Sequence, residues 1–277
     1  TVGKKQKEIF KGIPEKWTEV TPTQARKIFP YVLHPQKDDV TLVKVLQLVL
    51  GLSNSLFLAF TDAQVYDMIR CLDWMRAVDL DETILPEYRH RGRLFHLPKS
   101  KMSNVMCIEY WLADEYYTDF LEKQEEASLD KLCAVLMRPE STNREQVLIR
   151  DDIRTPLTGR REVEERAVNL ARLPQAVKLY VMAYFSGVKK FVHNSFGEDL
   201  FDQEENENGE GSAVADDFGW YGTFQSVAES AVFGNLNAVI YDTNFLDLCV
   251  FLVRKKRQND KAIEAQNKRI AAMEAGR

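Results

Sequence analysis

The spacing of Glu87 and His90 matches half of a metal-binding motif. A glutamate and a histidine three positions apart share one helical face in the Glu-x-x-His pairs of di-iron helical bundles. Such a site needs a second pair and further glutamates, and the sequence contains no second Glu-x-x-His. Pro86 and the alternating pattern around the motif favour a surface turn over a helix.

His90 and His96 could form a second kind of metal site if a hairpin brought the two side chains together. Zinc sites need three or four converging ligands. No carboxylate-rich partner with ligand spacing follows these histidines. We therefore predict no metal site and no cofactor.

The densest set of carboxylates lies between residues 109 and 122. On a helix, Glu115, Asp119 and Glu122 would share one face, where they could bind a divalent cation or transfer protons. The full set is Glu109, Asp114, Glu115, Asp119 and Glu122. Apolar residues mark the opposite side and nothing else converges on the set, so we interpret it as a solvated outer face.

Catalytic signatures are missing from the sequence. It contains no Gly-x-x-x-x-Gly-Lys-Ser/Thr loop, no Gly-x-Gly-x-x-Gly turn, no His-Glu-x-x-His and no Gly-x-Ser-x-Gly elbow. We expect a non-enzymatic protein without catalytic residues.

Composition is typical of a globular chain. The 277 residues are 45% hydrophobic and 29% charged, which allows one large domain with an appendage or two lobes. The cysteines are Cys71, Cys107, Cys133 and Cys249. They lie in apolar segments without a Cys-x-x-Cys pair, which favours buried reduced thiols over disulfides or a metal site.

No segment has the pattern of a membrane span. Residues 1–11 are basic and lack the apolar stretch of a signal peptide. The longest apolar run, residues 45–60, is interrupted by polar residues and falls short of the about 20 residues that cross a bilayer. We expect a soluble, cytoplasmic protein.

The negative charge is concentrated in residues 198–217. This segment holds nine acids and no base, whereas the whole chain has a net charge of -5. Its low apolar content predicts a flexible linker. The rest of the chain gives no strong indication of nucleic-acid binding.

Aromatic residues follow the acidic segment at once, and each can bury about 150–250 Å². One interpretation places them in the core of an ordinary domain, after an acidic loop between two helices. The other makes residues 218–277 a detachable module that meets a partner. The residues predicted to contact that partner are Phe218, Trp220, Tyr221, Phe224, Phe245, Leu248 and Phe251.

A basic run occupies the C-terminal helix and comprises Arg254, Lys255, Lys256 and Arg257. These residues could contact nucleic-acid phosphates. Cations near the C-terminal end of the apolar part of a helix also complement the helix dipole and keep an exposed helix soluble. This second interpretation is the one we favour. Ile263, Ile270 and Met273 are the large apolar residues beyond the run, so we predict an exposed helix.

Helix and turn signals predict the architecture. Capping boxes begin helices at Thr21 and Thr61, and Gly51 ends a third helix. Alternating residues around Arg91 and Gly92 predict a hairpin near residues 84–98. Pro30 is expected to bend or end the first helix, Ser103 to cap a helix over residues 104–123, and residues 140–156 to form a loop.

These elements predict a mostly α fold. It is a multi-helix bundle with a small β-hairpin insertion and a long C-terminal helix. The expected organisation is a helical body over residues 1–197, the acidic linker over residues 198–217 and a helical module over residues 218–277.

Four blocks of sequence support a resemblance that runs over most of the chain. They are GIPEKWTEVTPTQARKIFPYVL, ASLDKLCAVLMRP, LPQAVKLYVMAYFSGVKKF and FGWYGTFQSVAESAVFG. In this order they resemble blocks of a protein family encoded in the tail-gene region of bacteriophages and prophages of the Bacteroides lineage. The last block, with the long helix after it, is similar to tail assembly chaperones.

The resemblance implies a phage morphogenesis protein in the host cytoplasm, with no catalytic residue to carry over. A tail assembly chaperone shields the tape-measure protein until the tail tube encloses it. The alternatives are a structural virion component of the neck or tail and a nucleic-acid-associated phage factor. Expected partners are other tail or neck proteins, with self-association into a homo-oligomer as a further possibility.

Overall fold

The structure is a computed structural model that describes residues 12–33, 38–76, 80–200 and 219–275. Twelve α-helices form within these ranges. They are α1 Pro22–Val32, α2 Asp39–Leu50, α3 Asn54–Phe57, α4 Asp62–Arg70, α5 Cys107–Lys123, α6 Glu126–Leu136, α7 Arg144–Arg150, α8 Arg160–Leu170, α9 Gln175–Leu200, α10 Gly219–Glu229, α11 Leu236–Asp242 and α12 Phe245–Ala275. Short 3-10 helices span Trp17–Glu19, Asp73–Arg76 and Ser100–Met102.

The predicted hairpin forms one part of a three-stranded antiparallel sheet. Strand β1 is Glu87–His90, β2 is Arg93–His96 and β3 is Arg138–Pro139, in the order β1-β2-β3. Arg91 and Gly92 both have positive φ, 49° and 80°, as a tight two-residue hairpin turn requires. The sequence prediction missed β3, because a strand of two residues has no alternation to detect.

The predicted mostly α fold and long C-terminal helix are confirmed. Gln24 and Gln64 complete the capping boxes at Thr21 and Thr61, and Gly51 ends α2 with a φ of 62°. Pro30 lies inside α1, which continues to Val32. None of the helices in the described part of the chain is long and apolar enough to cross a membrane.

Several boundaries differ from prediction. Residues 140–156, predicted as a loop, contain α7, which Asn143 caps by accepting a hydrogen bond from the backbone of Gln146. The helix predicted from residue 104 begins at Cys107, and α11 was not predicted. Helix α9 reaches Leu200, so the predicted linker starts inside it. Residues 201–218, including Phe218, lie outside the described residues.

The chain divides into two compact units. The larger unit comprises Thr1–Asn104 and Leu112–Val188, and the smaller unit comprises Val105–Trp111 and Lys189–Arg277. The predicted boundaries at residues 197 and 218 differ from this division, because the smaller unit also takes the first turn of α5 and part of α9.

Buried side chains of α9 tie down the larger unit. The Tyr180 hydroxyl accepts hydrogen bonds from the backbone of Ile84 and Leu85, at 3.1 and 3.0 Å. The Tyr184 hydroxyl donates to the Lys99 carbonyl at 2.7 Å. These contacts fix the segments on both sides of the hairpin against the long helix, so the hairpin is firmly positioned in its unit.

Two arginines and one aspartate form a buried ionic cluster beside β3. The Asp152 side chain is 5% exposed and pairs with Arg138 and Arg154, both 0% exposed, at 3.2 and 2.8 Å. Arg138 also donates to the Thr155 carbonyl at 2.7 Å, and Arg154 to the Leu136 carbonyl at 3.2 Å. This cluster joins β3 to the segment after α7.

Candidate partner-binding site

Six aromatic side chains of the smaller unit pack together, and we name them the aromatic cluster. They are Tyr110, Trp111, Trp220, Tyr221, Phe224 and Phe245. The Tyr110 and Phe245 rings stack with centroids 3.6 Å apart and an interplanar angle of 7°. Trp220 meets both rings edge-on, at 5.5 Å from Tyr110 and 5.3 Å from Phe245. Edge-to-face and stacked contacts of this kind add stability beyond simple burial.

Backbone pairing brings the cluster together. The Cys107 amide donates to the Thr243 carbonyl at 3.0 Å, and the Phe245 amide donates to the Val105 carbonyl at 2.9 Å. An antiparallel bridge joins Met106 to Asn244 between these bonds. Because α5 and α12 both begin just after this pairing, the first turns of the two helices place Tyr110 and Phe245 face to face.

Three of the six described residues that were predicted to bind a partner are buried in the smaller unit. Phe224, Phe245 and Leu248 are fully buried. Buried side chains cannot contact a partner while this packing holds, so for these three residues the prediction is corrected. Their burial matches the interpretation of the sequence that placed the aromatics in a domain core.

The other described residues that were predicted to bind a partner are partly exposed to solvent. Tyr221 is 40% exposed, whereas Trp220 and Phe251 are half-buried. Phe251 packs edge-on against Phe233 at 5.2 Å. Within the aromatic cluster, Tyr221 is therefore the member most accessible to a partner.

The C-terminal part of α12 presents a second surface. Arg254 and Arg257 of the basic run are exposed, and Lys255 and Lys256 are half-buried. Beyond them every described side chain of the helix is exposed, as predicted. Ile263, Ile270 and Met273, which we name the apolar stripe, are 57%, 45% and 68% exposed.

The apolar stripe continues the buried face of α12. Phe245 and Leu252 are seven residues apart, Leu252 and Ile263 eleven, and Ile263 and Ile270 seven. Steps of seven and eleven residues equal about two and three helical turns, so these side chains share one face. The face that packs against the aromatic cluster thus extends along the helix into solvent.

The residues considered for metal binding do not converge. Glu87 and His90 occupy opposite ends of a strand, where they do not share a helical face. The register pairs His90 with Arg93 and His96 with Glu87, so the two histidines lie at opposite ends of the hairpin. In the described ranges no group of three His, Cys, Asp or Glu side chains could hold a metal ion.

Two of the carboxylates between residues 109 and 122, Glu115 and Asp119, form ordinary ion pairs. Arg160 binds both oxygens of Glu115, and Lys123 binds Asp119 at 2.6 Å. Glu109 is only 1% exposed, so its predicted place on a solvated face is wrong. Spacing along the helix did not predict this burial, because Glu109 lies in the short part of α5 that packs within the smaller unit.

The thiols fit the prediction of reduced cysteines, with one correction. Cys107, Cys133 and Cys249 are buried, whereas Cys71 is exposed. Burial raises the pKa of the Cys249 thiol to about 12 and also raises the pKa of Cys107 and Cys133. These three thiols are therefore protonated and unreactive in the folded chain.

Comparisons with protein-family models, with curated proteins and with solved structures found no match to this chain.

Proposed function

We propose that this chain is a non-enzymatic phage morphogenesis protein that acts through protein–protein contacts as a tail assembly chaperone for the tape-measure protein. The observation that carries the proposal is the apolar stripe of Ile263, Ile270 and Met273 on the exposed part of α12. Amphipathic helices dock through anchors spaced in this way. The occupant we propose is an amphipathic helical segment of the tape-measure protein.

Two properties of α12 support this occupant. The stripe is continuous with a face that already packs against aromatic side chains, so a second helix laid along it extends an existing apolar surface. Residues 254–277 contain eight basic and three acidic residues. A partner helix with acidic flanks would therefore be attracted to this part of α12.

A matched pair of variants tests the contact. Ile263→Asp with Ile270→Asp places two charges on the apolar stripe, whereas Ala265→Asp with Ala272→Asp places two charges on the opposite face at the same spacing. All four positions are exposed, so neither double variant disturbs a core. Each chain is co-expressed with the tape-measure protein of the same phage, and the soluble tape-measure fraction is measured.

The proposal expects the wild-type chain and the alanine-position variant to keep the tape-measure protein soluble and bound. The isoleucine-position variant should lose the complex, since a desolvated aspartate on the contact face is costly. Equal binding by both double variants would show that the apolar stripe is not the contact.

An inventory of purified particles separates the chaperone from the structural alternative. A chaperone is absent from mature particles, whereas a neck or tail component is present at fixed stoichiometry. The nucleic-acid alternative predicts DNA binding that weakens steeply with salt and disappears when Arg254, Lys255, Lys256 and Arg257 are neutralised.

A further inference from the structure

The apolar stripe on α12 is preceded by two lysines on the same face of the helix. Lys256 comes seven residues before Ile263, and Lys255 comes eighteen residues before Met273. These spacings equal about two and five helical turns, so both lysines share the face of the stripe. One face of α12 therefore carries two cations first and the apolar side chains after them.

The part of this face before the lysines is closed by the smaller unit itself. Phe245 and Cys249 are fully buried, and Leu252 is half-buried. From Lys256 to Met273 the helix rises about 25 Å, at about 1.5 Å per residue. A partner helix laid on the open face therefore contacts about five turns of α12, and one of its ends lies beside the lysines.

The two lysines have no ion-pair partner in the part of the chain that the structure describes. Both are half-buried on the face of the stripe. On the other side of the helix, in contrast, Lys268 pairs with Glu264 at 2.5 Å. A negative charge at the end of a docked helix would therefore be attracted to Lys255 and Lys256.

Helix dipoles favour one direction for the docked helix. The C-terminal end of a helix carries about half a negative charge on its free carbonyl groups, and the N-terminal end carries a similar positive charge. A partner antiparallel to α12 places its C-terminal end beside Lys255 and Lys256. A parallel partner would place its positive end there, which is unfavourable.

We infer that the apolar stripe binds its partner antiparallel to α12, and that this partner is an amphipathic helix with a negatively charged C-terminal end. The stripe supplies the apolar contact, and the two lysines fix the direction and register. The inference deepens the proposed function and rests on it for the identity of the partner as a segment of the tape-measure protein.

A pair of synthetic peptides tests the direction. Both are amphipathic helices of about 18 residues with leucines on one face, and they carry the same glutamates either in the last turn or in the first turn. Calorimetric titration of the full chain should give about fivefold tighter binding for the peptide with C-terminal glutamates, because its dipole and its side chains act together at the lysines. Equal affinities, or no binding of either peptide, would overturn the inference.

A matched pair of protein variants tests the lysines. Lys255→Gln with Lys256→Gln should weaken binding of the peptide with C-terminal glutamates by about tenfold. Lys261→Gln with Lys268→Gln removes the same charge from the opposite face and should weaken binding by less than about twofold. A peptide with glutamines in place of the glutamates should lose the same affinity for the unchanged protein. Equal losses in the two double variants would refute the role of Lys255 and Lys256.

Met273 provides a direct readout of direction. A nitroxide at the N-terminal end of the bound peptide should broaden the Met273 methyl resonance, which Met273→Leu identifies. The same label at the C-terminal end lies about 25 Å away and should broaden it much less. The reverse pattern would show a parallel partner.

Co-expression with the tape-measure protein separates this inference from the proposed function. Peptide binding in the inferred direction without a tape-measure complex would support the contact and refute the proposed partner. A tape-measure complex that Lys255→Gln with Lys256→Gln leaves intact would support the proposed function and refute the inferred charge contact.

Discussion

Tyr110 stacks on Phe245 with ring centroids 3.6 Å apart, although the two residues come from distant parts of the sequence. The stack is the centre of the aromatic cluster, and Trp220 closes it edge-on from α10. Residues predicted as a surface for a partner therefore act first as the core of the smaller unit. The cluster and the exposed end of α12 should respond differently to substitution.

Replacing Trp220 should destabilise the smaller unit. Trp220→Ala removes ring contacts with Tyr110, Phe224 and Phe245. We expect the free energy of unfolding to fall by up to about 3–5 kcal/mol, the range for a buried aromatic residue. Thermal and urea unfolding followed by circular dichroism measures the change. Tyr221→Ala is the neighbouring control, and its greater exposure should limit the loss to about 1 kcal/mol. Equal losses in the two variants would contradict the packing of the cluster.

Removing the carboxylate of the buried ionic cluster should be costly. Asp152→Asn leaves Arg138 and Arg154 buried without a counter-charge, so we expect a loss of about 3–5 kcal/mol in the free energy of unfolding. Asp151→Asn is the matched control, because Asp151 is 83% exposed and pairs with Lys99 at the surface. Its effect should stay within about 1 kcal/mol in urea unfolding.

The same carboxylate gives the stability a defined pH dependence. Burial alone would raise the pKa of Asp152, but the charges and hydrogen bonds of Arg154, and the charge of Arg138, outweigh burial and lower it. A lowered folded-state pKa contributes stability above the unfolded value of about 3.9, and this contribution is lost as the pH falls towards the folded value. The stability difference between wild type and Asp152→Asn should be constant above about pH 5 and shrink below it. A difference that grows on acidification would refute the ionic cluster.

Gly187 should not tolerate a side chain. A Cβ at Gly187 would lie 2.5 Å from the backbone carbon of Leu80, so Gly187→Ala should cost about 1–3 kcal/mol through overpacking. The nearest atoms to a Cβ at Gly197 in the same helix belong to the His193 side chain, at 3.1 Å, so Gly197→Ala should change stability by at most about 1 kcal/mol. Melting temperatures of the two variants provide the comparison, and a milder effect at Gly187 would disprove this close approach.

Thiol labelling should distinguish Cys71 from the other cysteines. At pH 8 a thiol reagent should modify Cys71 in the folded protein, whereas Cys107, Cys133 and Cys249 should react only after denaturation. Mass spectrometry before and after addition of urea counts the labels. Rapid labelling of a second site in the native chain would show that one of the three is accessible.

Local signals in the sequence predicted the local elements well. The capping boxes at Thr21 and Thr61 and the turn at Arg91 and Gly92 depend on residues a few positions apart, so the sequence carries them directly. The exposed end of α12 was also predictable, because its composition is polar with few large apolar residues.

The long-range contacts were not predictable in this way. Residues 140–156 are polar, so their pattern did not predict α7. It also did not predict that Asp152 neutralises the buried Arg138 and Arg154. Nothing in the spacing of Trp111 along its helix identified Phe224 as its neighbour at 5.8 Å. Pairings of this kind depend on tertiary packing, which periodicity within one segment does not encode.

The sheet has a consequence for synthesis on the ribosome. Strand β2 pairs through Phe95 and His96 with Pro139 and Arg138 of β3, which are translated much later. Until Pro139 leaves the exit tunnel, the nascent hairpin has an unpaired edge, and such edges recruit strands from other chains. Co-translational mispairing at this edge of β2 is therefore favoured between the emergence of His96 and the emergence of Pro139, and pairing with β3 ends it.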